Sequence, residues 1–278
     1  MAHAHEELAR IALAEDAPSG DLTSRSTVPE GTSCEAELVV KQDGVLAGFE
    51  AAVAVFEVAA AEDGTDVQID RKAGDGDRVR AGDRAALLRG DARTVLRAER
   101  PALNLLGHLS GIATLTRAYV EAAAPAAILC TRKTLPGLRA VEREAVAAGG
   151  GTLHRASLSD AILIKDTHVR MAGGVTEAIR RARGAGRPIE VEVETLEQLD
   201  EALALGAERI LLDNPTPDRV RRAIARVGDP QRLEISGGID LDNVRAFVDA
   251  GARVLSVGRL THSAPALDLS LEVIGLDA

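Results

Sequence analysis

Four of the 33 lysine and arginine residues in this chain are lysines. Two of the four close short apolar runs: Lys133 in Ile128-Leu-Cys-Thr-Arg-Lys-Thr134 and Lys165 in Ala161-Ile-Leu-Ile-Lys-Asp166. In a sequence that otherwise chooses arginine, a lysine at such a place marks a need for a compact ammonium. Other apolar runs close in the same way, at Asp213-Asn214, Ser236-Gly237-Gly238 and Ser256-Val-Gly258, with His262 and Ser263 just beyond. Glycine turns of this kind let backbone amides approach a phosphate, helped by the dipole of a following helix. In Glu190-Val-Glu192-Val-Glu194, strand alternation sets the acids on one face, where they need Lys133, Lys165 or a divalent cation as partners. Glu192 with Asp213 could hold Mg2+ beside a phosphate, since that ion prefers one or two carboxylates plus substrate oxygens. Between Cys130 and Arg170 the chain is net basic, with Arg132, Lys133, Arg139, His154, Arg155 and Lys165, and Gly149-Gly-Gly151 allows close approach to a ligand. Together these groups suit a small, highly anionic substrate.

The elements that position them are periodic. From residue 126 on, strand-like runs (128–131, 161–165, 189–193, 209–212, 233–236 and 254–257) alternate with helical stretches (137–148, 175–183, 196–205, 217–227 and 241–250). That alternation means βαβ units and a parallel sheet. Polar strand ends then converge on one rim, where barrels place their chemistry, and loops after the last two strands suit a phosphate. Six clear strands are too few for a full eight-unit barrel, so the expectation is an incomplete, open α/β barrel of about seven strands. The first hundred residues are mixed. They read as a helix over 6–15, strands near 35–41, 67–70, 78–80 and 85–89, a helix over 51–62, and a long helix from Thr94 that ends near Ser110-Gly111.

Composition narrows the classes. The net charge of −10, three Phe, one Tyr and no Trp exclude a nucleic-acid binder, which needs a basic surface and stacking platforms. Cys34 and Cys130 are too few for a disulfide framework, which points to a reducing cytoplasm. No apolar run is long enough for a membrane span, and no membrane partner is expected. His3 and His5 read as a frayed terminus rather than a metal site. His108 and His168 read as structural.

The motifs resemble quinolinate phosphoribosyltransferase, the decarboxylating nicotinate-nucleotide pyrophosphorylase family. The resemblance is carried by Thr131-Arg-Lys-Thr-Leu-Pro-Gly-Leu-Arg139, Gly149-Gly-Gly-Thr-Leu-His-Arg155, Leu163-Ile-Lys-Asp-Thr-His168, Glu190-Val-Glu-Val-Glu194, Leu211-Leu-Asp-Asn214, Ile235-Ser-Gly-Gly-Ile239 and Leu255-Ser-Val-Gly-Arg-Leu-Thr-His-Ser263. In the first half, Gly20-Asp-Leu-Thr23 and the stretch from Glu99 to Thr114 also fit. It implies an N-terminal α/β sandwich domain (1–110), an α/β barrel phosphoribosyltransferase domain (111–264) and a C-terminal segment (265–278) packing back on the first domain. It further implies a homodimer with shared active sites, or a hexamer, in which Arg100 reaches the partner's site. Quinolinate would be gripped by Arg132, His154, Arg155 and that Arg100. Lys133 and Lys165 match positions contacting phosphoribosyl pyrophosphate or quinolinate, Glu192 and Asp213 match acids at the ribose and Mg2+, and Ser236, Gly237, Gly238, Ser256, Gly258 and His262 match the 5-phosphate grip. Lys133, Lys165, Glu192 and Asp213 are the expected catalytic groups.

The sequence departs from the family pattern at four places. Cys130 stands where an acid is expected, Leu153 and Thr167 where asparagine is expected, and Arg259 where a small residue is expected. A paralogue acting on another acidic ring is the alternative they leave open. Two rivals come from other classes: a Schiff-base aldolase using Lys165, and a phosphosugar-binding protein that needs only the glycine loops.

Overall fold

The structure, a computed structural model, describes residues 2–277; the side chains of Ala2, His3 and Asp277 lie outside the described set. In chain order the elements begin α1 (Ala2–Asp16), α2 (Leu22–Thr27), β1 (Ser33–Val40), β2 (Gly44–Val45), α3 (Phe49–Asp63) and β3 (Val67–Arg71). Next come β4 (Arg78–Val79), β5 (Arg84–Asp91), α4 (Ala92–Ala123), β6 (Ala127–Leu129), α5 (Arg139–Ala148) and β7 (Ile162–Ile164). Then follow α6 (Asp166–Ala172), α7 (Val175–Ala182), β8 (Ile189–Val193), α8 (Leu196–Ala204), β9 (Arg209–Asp213) and α9 (Pro217–Val227). The chain closes with β10 (Leu233–Ser236), α10 (Val244–Asp249), β11 (Val254–Ser256), α11 (Arg259–His262) and β12 (Leu269–Asp277). No helix among the described residues is long and apolar enough to cross a membrane.

Residues 116–139 and 151–263 form one compact unit and the remaining described residues another. The latter is built on an antiparallel sheet in the order β12-β1-β5-β3. Strand β12 pairs along the whole of β1, from Val40↔Leu269 to Ser33↔Asp277. The apolar α3 is buried over most of its length, from Phe49 to Ala60. Helix α4 does not stop at Ser110-Gly111 but runs on to Ala123. Its glycines serve close approach rather than termination. A Cβ on Gly111 would lie 2.0 Å from the Pro265 carbonyl oxygen, and one on Gly107 would lie 2.9 Å from that of Leu267. The terminus expected to fray is helical, because buried His5 bonds Glu144 at 2.9 Å and ties α1 down. His108 likewise bonds the fully buried Glu142 at 2.9 Å.

The other unit holds a six-stranded parallel sheet in the order β6-β11-β10-β9-β8-β7. A seventh position is a single-residue bridge, Leu129↔Thr152, closed by Cys130 N–H to Thr152 O and Thr152 N–H to Ile128 O. Among the described residues no ladder joins the Thr152 segment to β7, so the barrel is open there. Registers place Ile164 beside Val191, Val193 beside Leu212, and Ser236 beside both Asp213 and Ser256. The period of two then sorts the side chains. Val191, Val193, Ile210, Leu212, Leu233, Ile235 and Leu255 are buried on one face. Lys165, Glu192, Leu211, Asp213, Glu234, Ser236 and Ser256 take the alternate positions and line a cavity at the C-terminal rim.

Candidate active site

That cavity measures about 720 Å³. Of the residues expected to act in catalysis or to bind substrate, all but Arg100 reach its wall: Arg132, Lys133, His154, Arg155, Lys165, Glu192, Asp213, Ser236, Gly237, Gly238, Ser256, Gly258 and His262. Arg100 lies on α4 with an exposed side chain, 3.6 Å from Glu99. The Gly149-Gly-Gly151 stretch does not line the cavity; Gly150, at φ 88°, takes the left-handed turn that ends α5. Of the four departures from the family pattern, Cys130 and Arg259 reach the wall, whereas Leu153 and Thr167 do not.

One side of the cavity is cationic. Arg132 Nε is buried and makes no hydrogen bond. Nearby Arg155 donates to the Ala161 carbonyl at 3.0 Å, and burial, then the charge of Arg132, lowers its pKa. Two guanidiniums that repel each other, one with an orphaned buried donor, are suited to carboxylates, which arginines can grip in forks. The Lys165 ammonium sits 2.6 Å from Glu192. Asp213 is held above the usual carboxylate range by burial and then by the charge of Glu192, despite a hydrogen bond from Asn214 at 2.7 Å. An acid pair in this condition calls for a further cation.

The alternating acids of β8 split three ways. Glu192 takes Lys165, as anticipated, and Glu194 is exposed. Glu190 takes none of the anticipated partners: its carboxylate lies 3.1 Å from His154 Nε2. Glu234, which the sequence reading did not single out, lies 3.4 Å from the same nitrogen and accepts a short hydrogen bond from Ser256 Oγ. A charged residue between Leu233 and Ile235 inside an apolar strand was the available signal. Hydrogen bonds from the ring to Glu190 and Glu234 raise His154 to about 9 against the effect of its burial. Burial would push Glu234 up, but His154, Ser256 and Arg209 together hold it below the usual range. The Arg155 amide lies 2.8 Å from His154 Nδ1, the contact of an acceptor nitrogen. The ring proton therefore sits on Nε2, between the two carboxylates. These three residues are close enough together to hold a metal ion.

The glycine loops line the same cavity. Gly237 has φ 90°, and a Cβ there would meet Asn214 Oδ1 at 2.3 Å, so only glycine fits. Gly258 lies under Lys133 and His262, its Cβ position 3.0 Å from Lys133 Cδ and 3.2 Å from His262 Nε2. Helices α10 and α11 have six and four residues. They are too short for the dipole assistance expected of them, which leaves the loop amides as the available donors. His168 accepts the Lys165 amide at Nδ1, 2.9 Å, and fixes the start of α6. Neither cysteine forms a disulfide.

Two family models match in tandem: the N-terminal domain of quinolinate phosphoribosyl transferase over residues 21–110 and its C-terminal domain over residues 112–272. A probable nicotinate-nucleotide pyrophosphorylase (carboxylating) of Bacillus subtilis is 44% identical, over 93% of this chain and 90% of its own length. The nicotinate-nucleotide pyrophosphorylase (carboxylating) of Mycobacterium leprae is 43% identical, over 95% of each chain. The solved structure of the nicotinate-nucleotide pyrophosphorylase from Francisella tularensis superposes with a TM-score of 0.90 at 34% identity, covering 99% of this chain and 97% of that one. Sequence and fold agree over both units, and the chain belongs to the quinolinate phosphoribosyl transferase family.

Proposed function

We propose that this protein transfers the phosphoribosyl group of phosphoribosyl pyrophosphate to quinolinate, with decarboxylation, giving nicotinate mononucleotide, pyrophosphate and CO2, a step of de novo NAD biosynthesis. The carrying observation is that the Arg132–Arg155 pair, with its buried, unsatisfied Nε, and the glycine loops line one cavity. A ring with adjacent carboxylates fits one wall and a 5-phosphate the other, which sets the ring nitrogen against the ribose between them.

In that complex the pyridine nitrogen attacks the anomeric carbon while the carbon–oxygen bond to pyrophosphate breaks and its electron pair leaves with the pyrophosphate. Lys133 and Lys165 offset the charge on the departing oxygens. Glu192 and Asp213 steady the ribose and the positive charge that grows at its anomeric carbon. The 2-carboxylate then departs as CO2, its bonding pair stays on ring carbon 2 under the cationic nitrogen, and a proton from water completes the product. No protein nucleophile is needed; orientation alone can supply about 7–11 kcal/mol.

Glu192 and Asp213 fit a divalent cation, because two neighbouring carboxylates, one partly buried and pushed up by the other, lack enough positive charge. They would hold Mg2+ beside substrate oxygens, where it neutralises phosphate charge. Ser236, Gly237, Gly238, Gly258 and His262 serve the 5-phosphate, whereas the Ser256 hydroxyl is committed to Glu234. Exposed Arg100 completes the acid grip of a partner subunit, which makes the working unit a homodimer or a hexamer of such dimers. Two free, buried cysteines suit a reducing cytoplasm.

The Schiff-base rival loses support, since Lys165 is half exposed and committed to Glu192 rather than desolvated. The phosphosugar-binding rival leaves the arginine pair without a purpose. The test is incubation with quinolinate, phosphoribosyl pyrophosphate and Mg2+, following CO2 and nicotinate mononucleotide by mass. Turnover lost in Lys133→Ala is the expected result. Absence of turnover with phosphoribosyl pyrophosphate still bound would hand the protein to another acidic ring.

A further inference from the structure

Glu234 poses a problem of stability. It is 2% exposed, inside a strand whose neighbours Leu233 and Ile235 are also buried. Burying a carboxylate is costly, and replacing a buried ion pair by apolar groups is often neutral or stabilising. One of its oxygens takes the Ser256 hydroxyl; the other faces His154 Nε2 at 3.4 Å. Glu190, 7% exposed, faces the same nitrogen at 3.1 Å. Fold alone gives no reason for two acids here.

The reason lies in what His154 hangs from. Its segment follows the single bridge at Thr152 and borders the open side of the barrel. From Leu153 to Ala161 the backbone joins no ladder among the described residues. The bonds that shape it are mostly local: the Ala156 and Ser157 amides to Asp160, and Arg155 to the Ala161 carbonyl. A long contact from Arg139 to the Ala156 carbonyl, 3.5 Å, adds little. The His154 ring is the strong tether that crosses the interior, reaching β8 through Glu190 and β10 through Glu234.

We propose that Glu234 is a positioning residue: with Glu190 it anchors the His154 imidazole inside the barrel and so fixes the unladdered bank from which Arg155 grips the acceptor. This rests on the reading of Arg155 as an acceptor ligand. Ser256 orients Glu234 in turn, which links the acceptor wall to the strand that carries the phosphate loop. The raised pKa of His154 agrees with this arrangement, since its first causes are the hydrogen bonds to Glu190 and Glu234.

The experiment compares Glu234→Leu and Glu234→Gln with the parent protein, in turnover and in amide hydrogen exchange. In Glu234→Leu the acid's KM rises about tenfold, the worth of a charge-assisted hydrogen bond. The kcat and the KM for phosphoribosyl pyrophosphate stay within about threefold, and the melting temperature does not fall. Glu234→Gln, which keeps an acceptor oxygen, is intermediate. Amides over 153–157 exchange at least about tenfold faster in Glu234→Leu, because the bank opens locally. An unchanged acid KM, or an equal rise in both KM values with a lower melting temperature, overturns the proposal. So does unchanged exchange over 153–157. The exchange measurement needs no substrate. If the parent protein fails to turn over quinolinate, the functional reading falls while the tether is still decided.

Discussion

Lys165 Nζ lies 2.6 Å from Glu192 Oε2, joining the residue after β7 to the inward face of β8. The contact spans neighbouring strands near the opening of the barrel and sets a cation and an anion on the cavity wall. Neither acts alone. Lys165→Ala and Glu192→Gln are each expected to lower kcat/KM about a hundredfold or more. The double variant is expected to lose less than the product of the two, because contacting residues couple. Full additivity in measured kcat/KM would separate their roles.

His154 gives a pH prediction for stability. Its pKa of about 9 in the folded chain lies above the ordinary value of about 6.5. The ion pair's contribution is therefore fully present below about pH 6.5 and is lost as pH rises through about 9. Urea midpoints of the parent protein should decline over that window. In His154→Gln the decline should flatten and the midpoint should be lower throughout, since two buried acids lose their partner. A parallel curve at all pH values would mean that the ring is neutral.

Arg100 tests subunit sharing. Arg100→Ala should weaken acid binding and spare phosphoribosyl pyrophosphate binding, as read by calorimetry with each ligand. Mixed and re-equilibrated with inactive Lys133→Ala, it should recover part of the activity, because mixed dimers contain one intact site. Recovery of none would place Arg100 outside the site.

The two glycine loops should respond unequally. Gly237→Ala puts a Cβ on Asn214 Oδ1 at φ 90°, a strained position costing about 1–3 kcal/mol. Gly258→Ala has ordinary dihedrals and meets only the flexible Lys133 and His262 side chains. Thermal melts should show the larger loss in Gly237→Ala, and both should raise the KM for phosphoribosyl pyrophosphate.

Much of the barrel was legible because its signal is local: apolar runs of period two, closed by polar residues at regular spacing. The rim residues followed from that spacing. What escaped was non-local. Gly111 looks like a helix stop in sequence, and only the approach of Pro265, far along the chain, shows otherwise. Strand β12 has a partner, β1, over two hundred residues away, and no pattern in either announces the pairing. Glu234 was passed over because a single acid in an apolar run reads as noise until the ring of His154 is found beside it.

The gap beside Thr152 divides the cavity mechanically. Asp213, Ser236 and Ser256 stand on strands hydrogen-bonded on both sides, so the wall they form is stiff. His154 and Arg155 stand on one shore of a break in the sheet, and Lys165 follows the edge strand on the other. That shore can shift or change its residues without unzipping a ladder. A different ring could thus be accommodated by remodelling the break alone, with the sugar-phosphate half left as a fixed chassis.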